Sequence, residues 1–386
     1  MQLRFLRTLT LLIAVQLFGC ASQAQTLVDV AIGKHNGCAL YDDGAVWCWG
    51  AEILPDLPGV PPLPMTATRI ENLGFARSIS VGRLDACAVL DDSSAWCWGT
   101  DFQASTREQK QVHSWKPVRV DGLPPVKMVS IGYVHHCALA ADGGVWCWGF
   151  NPLGELGDGT SDNSWKPRKV DGIGPAIAIG AGVNNSCAVM TVGDLMCWGT
   201  YDPTQDLALG APWAGVLNSK RPVMLPVKDL ISVENGRNFG CGILRTGGVA
   251  CWGSNVMKQL GTLDRMLTNA DPIGGFGVVA GLSGVTDLDV DYFHACAVAN
   301  GKVWCWGMSY EAPDLDVPPP DEGSGLLPYM VPGLSGATKV GTGESHSCAI
   351  AGKEVLCWGW KSVTEDILPG MSPTTPVPVP KLPKSP

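Results

Sequence analysis

Thiols and imidazoles are the side chains of this chain best suited to chemistry, and the thiols keep a rhythm. Of fifteen cysteines, Cys20 stands alone and the rest form seven pairs: Cys38 with Cys48, Cys87 with Cys97, Cys137 with Cys147, Cys187 with Cys197, Cys241 with Cys251, Cys296 with Cys305 and Cys348 with Cys357. The pairs recur every 49 to 55 residues, and each ends in Cys-Trp-Gly. Three chemistries compete for them. Zinc needs CxxC or CxxH spacing, which does not occur. Buried free thiols would act as small hydrophobes. Disulfides suit an even count in an exported chain, and a free-thiol titration of the unfolded, unreduced protein separates the last two.

The elements that position these thiols can be read from turn chemistry. In "CALYDDGAVWC" a three-residue loop, Asp42-Asp43-Gly44, places Cys38 opposite Cys48 when Gly44 takes the left-handed conformation. Gly143, Gly193 and Gly247 hold the same loop position, and Ser93 is the exception. The last of these turns, Arg245-Thr246-Gly247, sets Cys241 against Cys251 in the same way. Two pairs are one residue closer, and there the loop shortens to Asn300-Gly301 or Gly352-Lys353, which again sets Cys296 against Cys305 and Cys348 against Cys357. Turn length and cysteine spacing change together. Each bridge closes a short loop, for which chain-entropy estimates give roughly 2–3 kcal/mol. In this register Trp47 faces Ala39 and Trp49 faces Gly37, and Trp96, Trp146 and Trp304 likewise face alanines. The small partners leave room for each indole on the face away from the cysteines, where it is expected to pack on a neighbouring unit.

Composition narrows the function classes. Charged residues are only 16%, and 48 Gly with 29 Pro argue for many short strands and turns. The formal charge is −9, and without residues 1–19 the chain carries 25 basic against 36 acidic residues. No run of Lys and Arg could displace counterions from a duplex, so nucleic acid is not an expected partner. Residues 1–19 read as a signal peptide: Arg4 and Arg7, then an apolar run from Leu9 to Phe18 too short to span a bilayer. "LFGC" resembles a bacterial lipobox, although Phe18 is bulky for that motif. Two outcomes stay open. Lipidation at Cys20 would give an outer-membrane or cell-surface lipoprotein tethered by residues 20–25, its only membrane contact. Cleavage after Ala24 would give a secreted protein.

"IGYVHHCALAADGGVWCWGFNPLGELGDGT", residues 131–160, resembles the repeat of the regulator of chromosome condensation family. The full Trp-Gly-x-Asn-x-x-Gly-x-Leu-Gly ending occurs only at Trp148 to Gly157, and "WGSNVMKQLG" has Lys258 in place of the middle Gly. His135, with a one-residue drift, His294 and His346 stand at the histidine of the signature. The resemblance covers about residues 26–380 and implies a seven-bladed β-propeller. A propeller over 26–383 is also expected from the ends of the chain. Internal repeats open on a strand such as "KPVRV", the first repeat lacks it, and "TTPVPVPKLP" supplies one at the end, so a C-terminal strand joining the N-terminal blade would close the ring. Residues 384–386 form a tail.

Motifs for catalysis are absent: no GxSxG, no GxxxxGK[ST], no HExxH, and no recognisable convergent set of carboxylates. "GFGVVA" reads as a Gly-rich connector, and the acidic stretch 311–325 as a solvated loop without EF-hand spacing. The histidines fall in different repeats, which points to turn hydrogen bonding, and no metal or other cofactor is expected. One end of a propeller would carry the uniform Asp-Gly turns. The other would carry variable turns with Lys34, Arg83, Tyr133, Arg237, Tyr292 and Phe293, beside connectors bearing Trp115, Trp165, Tyr201, Trp213, Tyr310 and Tyr329. Rigid scaffolds with variable aromatic and charged loops are how binding surfaces are commonly built. The expectation is therefore a monomeric, non-enzymatic binder of a protein or envelope glycan, like secreted members of the family. The family also suggests guanine-nucleotide exchange on a small GTPase as the alternative.

Overall fold

The computed structural model describes residues 25–34, 36–50, 66–83, 85–99, 114–201, 218–255, 258–262, 275–307, 327–344, 346–359 and 375–383. The signal segment, Cys20 and the 384–386 tail lie outside them. Among the described residues there are 28 strands and no helix, arranged as seven four-stranded antiparallel sheets in a ring. The first strand of every blade lines a central channel. In chain order these strands are Leu27–Ile32, Ala76–Val81, Val126–Ile131, Ala176–Ala181, Glu234–Asn235, Val285–Val290 and Ala337–Thr342. Each touches the next, and the seventh touches the first.

The ring closes differently from the sequence expectation. The strand that seemed to open each repeat is the outer, fourth strand of the blade before it: Val118 pairs with Cys97, and Arg168 with Cys147. Val377–Pro378 likewise pairs with Cys357 and Leu356 of its own blade, not with the N-terminal blade. The reason is local. The third strand ends with an open edge of N–H and C=O groups, and the next segment of the same chain is the nearest partner for them. Of the C-terminal stretch only the residues after this strand, 379–383, cross to blade 1, where Ala67 N–H donates to the Pro380 carbonyl (3.2 Å) and the Tyr41 hydroxyl to that of Pro383 (2.6 Å). Val379 and Leu382 pack there with Leu27, Tyr41 and Trp49.

The hairpin register is the one the turns imply. Cysteines stand directly opposite in all seven blades, Cys241 against Cys251 among them, and are joined as disulfides with Cα atoms 4.0–4.1 Å apart. Ser93, the exception to glycine, takes the left-handed conformation itself at φ 64°. The turn carbonyls also reach the next blade: Gly44, Ser93 and Gly143 accept from the N–H groups of Ala76, Val126 and Ala176 at 2.9–3.2 Å.

What the Cys-Trp-Gly phrase achieves is a joint between blades. Cys38–Cys48 packs on Trp98, Cys87–Cys97 on Trp148 and Cys137–Cys147 on Trp198. The ring continues with Cys187–Cys197 on Trp252, Cys241–Cys251 on Trp306 and Cys296–Cys305 on Trp358. It closes where Cys348–Cys357 packs on Trp49. The indole face is packed as the sequence implies, but the disulfide face is packed as well. Each such indole removes about 150–250 Å² from water, an upper bound of about 4–6 kcal/mol. The Asn-x-x-Gly-x-Leu-Gly ending serves this joint: Asn151 Oδ1 accepts from Leu156 N–H (2.9 Å), and the Glu155 carbonyl accepts from the Trp198 indole (2.8 Å). Asn255, Leu260 and Gln259 repeat the arrangement under Trp306.

The histidines also work between blades rather than within turns. His135 Nε2 meets Ser186 Oγ of the next blade at 2.7 Å, and His294 Nε2 meets Ser347 Oγ at 3.0 Å. His135 needs no drift, since His135, His294 and His346 all stand opposite the glycine of Cys-Trp-Gly. Burial pulls the imidazoles of His135 and His294 down to about 3 and about 4, so both are neutral hydrogen-bonding groups at physiological pH.

Candidate functional site

The variable turns all lie at the end of the ring where the first strands finish, around the mouth of the channel. Four of them bring Arg83, Tyr133, Arg237, Tyr292 and Phe293 together. The Tyr133 and Tyr292 rings meet edge to face with centroids 6.1 Å apart, and Phe293 lies 5.1 Å from Tyr292. The Arg83 guanidinium sits 4.7 Å over Tyr133, and that of Arg237 lies 5.1 Å from Tyr292 and 5.6 Å from Phe293. Cation–π contacts of this kind hold the side chains in place before any partner arrives. Lys34 is set apart from this cluster, paired with Glu344 at 2.8 Å across the blade 7–blade 1 joint.

The connectors on this end contribute less than their aromatic residues suggest. Tyr201 is core, its hydroxyl accepting from the Trp252 indole at 2.9 Å. Trp115 packs against the cluster between blades 1 and 2, while Tyr329 lies on the outer strand of blade 6. Trp165 stays near the turns, edge-on to the exposed Phe150 at 5.0 Å. Trp213, Tyr310 and the acidic stretch 311–325 lie outside the described residues.

Below the mouth is a cavity of about 340 Å³ lined by the first strands, and here the sequence reading needs correction. A convergent set of carboxylates does exist: Asp29, Glu234, Asp287, Asp289 and Asp291, with Lys339 among them. Lys339 Nζ pairs with Asp287 Oδ1 at 2.9 Å. Asp287 Oδ2 accepts from Val340 N–H (2.8 Å) and Asp289 Oδ2 from Thr342 N–H (2.6 Å). Burial pushes Asp29 up to about 6, Asp289 to about 7 and Asp291 to about 8, and it also raises Asp287 and Glu234. Neighbouring acids add to this effect at each of the first three and at Glu234. Lys339 is pulled down by burial, yet Asp287 and Asp29 more than offset this and hold it above its ordinary value. The sequence signal was present in "VTDLDVDY". Alternating aspartates on a half-buried strand fall on one face, and here that face is the channel. Among the described residues these carboxylates do not gather into a group able to hold a metal ion.

Models of the regulator of chromosome condensation (RCC1) repeat match residues 27–52 and 126–155, which hold the cysteine hairpins of blades 1 and 3, and residues 142–189, which run from the turn of the blade 3 hairpin into the second strand of blade 4. Over these stretches the chain carries RCC1 repeats. Solved RCC1-like propellers share its fold at low identity. Human WBSCR16 superposes with a TM-score of 0.67 at 17% identity, over 85% of this chain and 88% of that one. Prp20p from Saccharomyces cerevisiae, studied for its binding to Gsp1p and histones, gives 0.65 at 19%, over 82% and 80%. The same yeast RCC1 in complex with Kap60 gives 0.68 at 18%, over 92% and 83%. The RCC1-like propeller is a scaffold suited to protein binding. Its seven disulfides suit an oxidising compartment, and no helix among the described residues is long and apolar enough to cross a membrane.

Proposed function

We propose that this RCC1-repeat protein is an exported, non-enzymatic binding scaffold of the cell envelope or exterior, acting as a monomer that captures a protein partner at the channel mouth. One observation carries the reading: two arginines and three aromatic rings from four separate blades converge on one spot, held by a ring in which every blade has a stapled hairpin. Such residues on rigid supports supply most hot-spot energy in protein interfaces. Stapled hairpins favour a compartment that keeps disulfides oxidised, so exchange on a GTPase of the reducing cytosol fits less well. Lipidation at Cys20 would tether the Asp-Gly end of the ring to a membrane, because Thr26 pairs with Asp42 there, and would leave the mouth facing away; cleavage after Ala24 would release the protein. The mass of the mature N-terminus distinguishes them.

The test is affinity capture from the native envelope with single substitutions. Changing Arg83, Tyr133, Arg237, Tyr292 or Phe293 to Ala should weaken capture by about 1–2 kcal/mol or more each, with unfolding midpoints nearly unchanged. Changing Asp142 and Gly143 at the opposite end should leave capture intact. Capture that survives all five changes would refute the mouth as the binding site.

A further inference from the structure

The seven joints of the ring are not equivalent, and the difference lies in the channel wall. At six blades the residue just after the first strand is glycine: Gly33, Gly82, Gly132, Gly182, Gly236 and Gly343. Most of these sit against the backbone of the next blade. A Cβ on Gly33 would lie 1.9 Å from the Gly82 carbonyl oxygen, one on Gly132 2.3 Å from that of Gly182, and one on Gly343 2.1 Å from that of Gly33. Blade 6 alone departs, with Asp291 in the glycine position. Its carboxyl lines the channel at that position, within electrostatic reach of Glu344 on blade 7.

The same joint uses a different hydrogen-bond acceptor. Between blades 2 and 3 the Ile131 N–H donates to Ser80 Oγ (3.2 Å), and between blades 3 and 4 the Ala181 N–H donates to Ser130 Oγ (2.9 Å). Hydroxyls do not titrate in the physiological range. Between blades 6 and 7 the corresponding N–H, that of Thr342, donates to the Asp289 carboxylate, and the N–H of Val340, two residues earlier, donates to that of Asp287. We propose that the blade 6–blade 7 joint is a proton-sensitive hinge, closed while its carboxyls retain protons and loosened when all of them ionise.

The charges facing this joint come from every neighbouring element. Blade 6 contributes Asp287, Asp289 and Asp291, with neutral His294 behind them on its second strand. Blade 7 contributes Lys339 and Glu344, with His346 on its second strand. Blade 5 contributes Glu234 and Arg237, and blade 1 Asp29 and Lys34. Lys34 is already paired with Glu344, and Lys339 with Asp287. Full ionisation strengthens the N–H bonds to Asp287 and Asp289, but it leaves Asp29, Glu234, Asp289 and Asp291 buried together around cations that are already engaged, and that burial and repulsion outweigh the gain. The direction with pH follows. A carboxyl whose folded-state pKa is raised binds a proton more tightly in the closed ring than in the open one. Its contribution is fully present below about pH 4 and is lost as pH climbs through about 6, 7 and 8, the values for Asp29, Asp289 and Asp291. Loosening displaces Tyr292 and Phe293, which follow Asp291 directly in the chain.

Amide hydrogen exchange on the intact, oxidised protein tests the hinge, after correction for the intrinsic pH dependence of exchange. Between pH 5 and 8.5 the opening equilibrium at Val340 and Thr342 should rise about tenfold or more, while that at Ile131 and Ala181 changes by less than about twofold. Asp291→Gly, which restores the residue of the other six blades, should remove much of the rise. Parallel pH responses at the two kinds of joint would overturn the proposal, as would an Asp291→Gly profile matching the parent. Should that variant fail to fold, the comparison within the parent protein decides alone.

Discussion

The outer belt of this ring and its inner wall were built by opposite rules. In the belt, one phrase is repeated seven times: a disulfide on one blade against an indole on the next, with a tight turn beneath. In the wall, equivalent positions hold different residues, so that Asp287 corresponds to Ser78, Met128 and Lys339 in other blades. The belt needs only to hold blades together, and one good joint serves everywhere. The wall and mouth face solvent or a partner, where sameness has no structural advantage. Stability lives in the repetition, and individuality in the channel.

The strongest challenge to this division is a belt substitution. Trp198→Ala removes a fully buried indole, its hydrogen bond to the Glu155 carbonyl and the contact with Cys137–Cys147. It should destabilise by about 3–5 kcal/mol in a denaturant titration of the oxidised protein. A loss below about 1 kcal/mol would mean that the joints are not what holds the ring. Replacing Cys187 and Cys197 together by Ala should have the next largest effect, about 2–3 kcal/mol, because the loop it closes is short. The mouth residues should respond least in stability, since their surroundings are solvent and one another.

Much of the belt was legible from the residues alone. Cysteine spacing changed in step with turn length, which fixed the pairing, and Ala39 or Gly37 opposite tryptophans revealed the packed face. Ring closure was misread because Val377–Pro378 and "KPVRV" look alike wherever they pair. A strand's sequence does not say which of two open edges it will cover. The destination of the disulfide face was also hidden, since the contact joins residues about fifty positions apart in separate repeats. The mouth cluster was half visible. The variable positions could be listed from the turns, but that Tyr133 and Tyr292 touch across three blades depends on ring geometry. The carboxylates were missed despite their alternation in "VTDLDVDY", because partners such as Asp29 and Lys339 converge only when the ring is closed.

If recognition belongs to the mouth and cohesion to the belt, the two ends of the ring must differ in what they touch. A photo-crosslinking residue placed at Tyr292 reports on the mouth. One placed at Phe75, exposed beside the Asp-Gly turns, reports on the other end. With the protein expressed in its native host and irradiated there, Tyr292 should give a discrete adduct and Phe75 none. An adduct from Phe75 with none from Tyr292 would contradict the assignment of recognition to the channel mouth.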